Sequence, residues 1–488
     1  MGVGPRSARG AIGLSWVGFG AVVSLTAAAA PGQGLPNARV PSLLDAFWWR
    51  GEAPAFDGPT GAQAMLLVPR VVDDAELWND VDYLEDLQRR YGARGVPVVL
   101  VLDAPPESSQ AVPGSYPVAV AASVQEWLRG LEVGAALVDA EGDVRWIGGL
   151  DVGMGVAIQT LLAGGDLDPE LARDSARRME RMREIESYPT EELARLSAAL
   201  LERNSGNPDG WALQLLVAYE RQQDPAAARR VAAAACKNLA LESKPLARFV
   251  ALMLRTVGED RPFLQEALMA LVPVAAGARH DLPLQLTFLR VLNGLGREQE
   301  ARALVERLEE VVAQRPTARA AFAEALAAGP LGPQFVAIAL PAIDAALAET
   351  PDERELQMIR FNVLDRGGDA AARDAQLARL TNTNAVTLNN EAWYLMTRAE
   401  VRGRFNRLAL AMCEAMQRDR TLDYAERDTM ALALFLNGRI VDALEMQRPA
   451  AKSAENERYD RRLRRYERAV AQQQGEVAEE GAGSEDRR

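Results

Sequence analysis

Hydrophobic positions change their period part-way along the chain. Up to about residue 165, short apolar runs alternate with helical stripes; beyond it, the stripe with a 3.6-residue period is the only regular pattern. Ala64–Pro69 (AMLLVP) and Val96–Asp103 (VPVVLVLD) are unbroken apolar runs, as expected of strands covered on both faces. Between them Leu77, Val81, Leu84 and Leu87 recur at helical spacing, and Gly92 ends that helix. PVAVA precedes a helix predicted around Val124–Leu131. Ala136–Gly149 (ALVDAEGDVRWIGG) then reads as a hairpin turned at Asp139-Ala140-Glu141-Gly142. A last helix, VGMGVAIQTLLAGG, completes an α/β domain with a mixed sheet over residues 41–165.

After Asp166 the strand signal vanishes. A charged helix (DPELARDSARRMERMREIESY) and a second one (TEELARLSAALLERN) lead into a periodic region. Turn residues recur at Gln223-Asp224, Gly258, Gly296, Gly329–Gly332, Gly367-Gly368, Gly403 and Gly438, at intervals of roughly 35 to 38 residues. That spacing predicts an all-α solenoid of about seven helix pairs over residues 168–470. Ala301, Leu304, Val305, Leu308 and Val312 form one of its apolar stripes.

Two resemblances follow. The first domain resembles the thioredoxin-like domain of secreted bacterial redoxins, in WWRGEAPAFDG, in RRYGARGVPVVLVLD and in the LVDAEGDVRWIGG hairpin. Such domains place a W-C-x-x-C motif at the start of the first long helix, where the helix N-terminus activates a thiolate. Here that place reads VPRVVDDAELW, with Arg70 through Asp74 and no cysteine. The position of their cis-proline is taken by Glu132-Val133-Gly134-Ala135. The domain is therefore read as degenerate, with no thiol–disulfide chemistry in this chain, and Asp73 and Asp74 as helix caps. The helical region resembles tetratricopeptide repeats through Tyr219, Ala228 and Ala235, and through Ala431, Ala443 and Ala450, small residues where packed helices approach closely. Units around Gly258 and Gly329 match in length and amphipathicity alone. On this resemblance Trp211, Tyr219, Trp393 and Tyr394 lie on first helices that line a concave face. They are the candidate partner-binding residues, with core packing as their other reading.

Composition narrows the partner class. The 488-residue chain carries a net charge of −13, which argues against nucleic acid as a partner. Lysine occurs only at 237, 244 and 452, so nearly all cations are arginines. Arg6 and Arg9, the apolar run Ala11–Leu25 and the small residues Ala27–Ala30 read as a signal peptide or N-terminal anchor over residues 1–30. The expected location is extracytoplasmic, periplasmic or secreted, with membrane attachment only if that segment is uncleaved. Cys236 and Cys413 sit in helical stretches and are expected to be free thiols. His280 is the only histidine, and no nucleotide-binding or hydrolase motif is present. Catalytic residues, metal ligands and cofactors are accordingly predicted as none. ENERYDRRLRRYERAVAQQQ reads as a solvated capping helix whose acidic residues interleave with its arginines, and residues 471–488 as a disordered tail.

These features predict a non-enzymatic scaffold that binds a protein or peptide partner on the helical surface. Two alternatives stand beside it: a redox-pathway accessory or chaperone-like client binder using the inactive redoxin groove, and a hydrolase built on an unrecognised carboxylate pair.

Overall fold

The computed structural model describes residues 47–51, 64–70, 75–105, 114–130, 134–139, 142–150, 154–164, 167, 185, 188–398, 401–418, 420–453 and 457–485. The leader, Val71–Asp74 and nearly all of the charged helix before Tyr188 lie outside them.

The first domain is a mixed sheet of β1 (Phe47–Arg50), β2 (Ala64–Arg70), β3 (Val98–Leu102), β4 (Val118–Val120), β5 (Ala135–Asp139) and β6 (Val144–Gly148). The strand order is β1-β4-β3-β2-β5-β6; β2, β3 and β4 are parallel, and β1, β5 and β6 are antiparallel to their neighbours. Period-two alternation sorts the side chains. Leu66, Val68, Val98 and Leu100 face α1 (Ala75–Tyr91) and α3 (Met154–Leu162), whose Leu84, Leu87 and Ile158 close that core. Met65, Leu67, Val99 and Val101 face α2 (Ala122–Gly130) through Val124 and Leu128. Both faces are thus covered, as the unbroken apolar runs predict. The aromatic segment before Gly51 supplies an edge strand that period analysis does not find, because four residues are too few for a period to show.

The rest of the described chain is helical: α4 (Thr190–Arg203), α5 (Pro208–Leu216), α6 (Pro225–Leu239), α7 (Ser243–Val257), α8 (Arg261–Gly277), α9 (Leu282–Leu295), α10 (Glu298–Ala313), α11 (Arg319–Ala327), α12 (Gly332–Glu349), α13 (Arg354–Gly367), α14 (Ala370–Leu380), α15 (Ala385–Thr397), α16 (Asn406–Arg418), α17 (Tyr424–Leu436), α18 (Ile440–Ser453) and α19 (Glu457–Glu485). Their starts are written locally. Asn207, Asp224, Asp281, Asp369 and Asn384 each accept a first-turn N–H, and Asp423 with Glu426 forms a reciprocal capping box. α9 ends in Gly296 at φ 69°, a left-handed cap that glycine adopts without strain. Sequence neighbours pack in pairs. The leading helices α5, α7, α9, α11 and α13 also pack in a row, as does α15 on α17. The stripe Ala301, Leu304, Val305, Leu308 and Val312 is buried. The architecture is an α/β sheet domain followed by an array of paired helices.

Two features depart from the sequence reading. α5 runs on as a π-helical turn, Val217–Arg221. α19 continues through Glu485, so helix covers most of the segment whose low complexity predicts a disordered tail; its alanine, glutamate and glutamine are also good helix formers. Nor is α19 simply solvated, because Arg462, Arg465 and Tyr466 are buried.

Candidate functional site

The end of the sheet domain at the close of β2 is bound to the helical array. Arg70 closes β2 and pairs with Asp80 of α1; the other Asp80 oxygen lies 2.5 Å from Lys244 Nζ at the start of α7. Burial works against the Asp80 charge, but Lys244 and Arg70 outweigh it and hold the carboxyl below its ordinary range. Beside them Asp281 accepts from Ser243 Oγ at 2.8 Å and from the Leu284 N–H at 3.1 Å. Glu242 accepts from the Tyr83 hydroxyl at 2.6 Å and from the Gly155 N–H at 3.1 Å. Burial raises the pKa of both carboxyls. Asp82 of α1 accepts from the backbone N–H of His280, whose ring stands exposed on the turn before α9. Lys244 is the one sequence clue, a rare lysine in an arginine-dominated chain and buried here.

The four predicted aromatic positions form two separate pairs. On α5, Trp211 donates its indole N–H to Ser205 O at 2.8 Å. Tyr219, in the π-helical turn, meets Phe263 edge-on at 5.6 Å, and burial pushes its hydroxyl up to about 12. On α15, Trp393 lies under the guanidinium groups of Arg458 and Arg462, 4.3 and 4.6 Å from their carbons. Tyr394 sits beside Arg398 at 5.9 Å. All four are partly buried against the hydrophobic cores, so each both packs and keeps an accessible edge.

The inner side of the array is held by its own chain. Between α15 and α16, the segment Val401–Phe405 contacts several leading helices. Arg402 pairs with Glu220 at the end of α5, and Arg404 bridges Glu324 of α11 and Glu355 of α13, each at 2.8 Å. Gly403, at φ 81°, lies so close to α7 that a Cβ would stand 2.3 Å from the Arg255 carbonyl oxygen. Burial opposes the Glu324 charge, but Arg404, with Arg290 and Arg255 behind it, brings that carboxyl down to about 2. These pairings join residues 49 to 182 positions apart, beyond any local pattern.

Glu220 also accepts from Arg465 of α19 at 3.0 Å, so the last helix reaches the first pair of the array. Along that contact lies a cavity of about 580 Å³, walled by the start of α4, by Arg221 and by one face of α19. Cys236 and Cys413 are elsewhere, buried and free, and burial pushes both thiols up to about 12.

No protein-family model matches the sequence, and a search of curated proteins returns no significant match. The functional reading therefore stands on the chemistry of these places.

Proposed function

We propose that this chain is a non-enzymatic interaction protein of the cell envelope. Its helical array carries the surface for a protein or peptide partner, and its sheet domain is a fixed buttress. The single observation that carries this reading is the buried Asp80–Lys244 pair at the end of the sheet domain. Within the sheet, the order β3-β2-β5-β6, with a helix between β2 and β3 and another after the hairpin, suits a thioredoxin-like domain. In such a domain the reactive thiols would follow β2, where the ion pair now locks α1 to α7. A domain fixed at that end is better suited to rigidifying the array than to gripping clients in its old groove. The paired helices, with recurring small residues such as Ala228, Ala235, Ala431 and Ala443 buried between them, suit tetratricopeptide-like units. Among the described residues no helix is long and apolar enough to cross a membrane.

The test uses the full secreted chain, immobilised and exposed to envelope extract. Trp393→Ala with Tyr394→Ala on the array should abolish capture of the specific partner, and Glu126→Arg on the exposed side of α2 should leave it intact. The reverse pattern would return the recognition surface to the sheet domain. In an insulin-reduction assay the chain should show no turnover above background. Without reductant, denatured protein should titrate two free thiols, while the native protein at pH 8 should react with neither; zero denatured thiols would contradict the placement of the cysteines.

A further inference from the structure

The cavity between α4 and α19 has a charge opposite to that of the whole molecule. Among the described residues that line it, seven are arginines and one, Glu467, is acidic, in a chain whose net charge is −13. Arg461, Arg464, Arg465 and Arg468 recur at the three- and four-residue spacing that stacks side chains on one face of α19. Arg221 comes from across the cavity, at the end of α5. Much of this charge is already committed: Arg465 binds Glu220, Arg462 binds Asp428, Arg221 donates to the Ile185 carbonyl oxygen, Arg458 stacks on Trp393, and Arg461 lies 3.5 Å from Glu457. Arg464 and Arg468 are different. Both are exposed, and among the described residues neither has a carboxylate within salt-bridge distance. Like charges at this spacing destabilise a helix unless something neutralises them.

The opposite wall adds a second source of positive potential. α4 is preceded by Pro189, which provides no side-chain cap, and Thr190 of its first turn lines the cavity. The first-turn N–H groups of a fourteen-residue helix carry partial positive charge, part of which Glu191 and Glu192 in that turn already offset.

We propose that this cavity binds a small anion carrying two or more phosphate groups. Size selects a small ligand: about 580 Å³ lies within the range of small-molecule sites, and the space is bounded by helices on two sides. Chemistry selects phosphate, because guanidinium forks pair two N–H groups with two phosphate oxygens and hold their charge at any physiological pH. The two arginines without a carboxylate among the described residues, Arg464 and Arg468, select more than one negative charge, since a singly charged ion would leave one of them uncompensated. Such an anion would also clamp α19 to α4 and α5, joining the last helix of the array to its first. The proposal is independent of the partner-binding reading above.

The experiment is isothermal titration of the full chain with sodium tripolyphosphate at 0.15 M salt, run beside monophosphate and chloride. The variant is Arg464→Glu with Arg468→Glu, two exposed positions whose change leaves the buried pairs untouched. A control with the same charge change elsewhere is Arg302→Glu with Arg373→Glu. Saturable tripolyphosphate binding, at least about tenfold tighter than monophosphate and weakened at least about tenfold in the cavity variant but not in the control, is expected. A rise in wild-type thermal midpoint with tripolyphosphate should accompany it and be absent in the cavity variant. Absence of saturable binding, or equal weakening in variant and control, would overturn the proposal; so would equal affinity for monophosphate and tripolyphosphate. Circular dichroism establishes that both variants keep the helical content of the parent.

Discussion

At the junction between sheet and array, Asp80 and Asp281 gather around Lys244 and Arg70 while Glu242 is held by Tyr83 and Gly155, whereas inside the array Arg404, Arg290 and Arg255 gather around Glu324 and Glu355. Both places are buried and both join elements far apart in sequence. Their balance of charge differs, and so does their response to pH. Burial raises Glu242 and Asp281 at the junction, where carboxylates outnumber cations. In the interior the surplus of guanidinium groups overcomes burial and holds Glu324 low, at about 2. A raised carboxyl contributes stability while it keeps its proton, and that contribution is lost as pH climbs through the folded value. A lowered carboxyl contributes stability above its ordinary range, lost as pH falls toward the folded value. Acid therefore loosens the interior through Glu324, whereas the junction is loosened by alkali through Glu242 and Asp281 and by acid only at its Asp80–Lys244 pair.

The largest effect should come from removing the cation that two interior carboxylates share. Arg404→Ala leaves Glu324 and Glu355 buried without their nearest partner and should cost about 3–5 kcal/mol in urea unfolding at pH 7. Glu324→Gln tests the sign. Its deficit against the wild type should be full at neutral pH and shrink between pH 4.5 and about 2, the ordinary and lowered values of this carboxyl. A deficit constant across that range would mean that Glu324 is not the titrating group.

A smaller contrast separates two glycines that look alike in the repeat spacing. Gly403 and Gly438 have nearly the same backbone angle, φ 81° and 79°, but only Gly403 has backbone against it. Gly438→Ala should cost about 1 kcal/mol, the penalty for a side chain in a left-handed turn. Gly403→Ala must also push α7 away from the inner segment and should cost about 2–3 kcal/mol. Equal losses in urea unfolding would mean that the inner segment yields easily and does not brace the array.

This pair also marks how far sequence reading reaches. Strands, helices and turn positions follow from information within a few residues: the runs at Ala64 and Val98, the stripe on α10, the caps at Asp224 and Asp281, the glycines at 296 and 438. The spacing places Gly403 among the turns but cannot tell that its turn folds inward onto Arg255, because that contact joins residues about 150 positions apart. The same limit hides Asp80–Lys244 and Glu220–Arg465. In ENERYDRRLRRYERAV, acids and arginines alternate along the chain and suggest a solvated helix; folded, the arginines of α19 collect on the side facing α4 and α5. The four aromatics are legible as positions, but not as two separate pairs, nor is Trp393 legible as the platform beneath two arginines of α19.

The smallest effect sharpens the junction side of the comparison. Glu242 accepts two hydrogen bonds, from the Tyr83 hydroxyl and the Gly155 N–H, and both can be made to an amide oxygen as well as to a carboxylate. Glu242→Gln keeps that acceptor and removes the carboxyl whose pKa burial raises. At low pH, where Glu242 is already neutral, the variant and the wild type should unfold at nearly the same temperature. As pH rises, the wild type must either ionise a buried carboxyl or lose the contact between α3 and α7, and its midpoint should fall below that of the variant. The gap should reach about 1 kcal/mol by pH 9, read as a difference in thermal midpoint from pH 5 upward. If the variant is instead less stable at every pH, the two donors favour the charged carboxylate enough to outweigh burial. The junction would then resemble the interior, with acid as the common solvent of both.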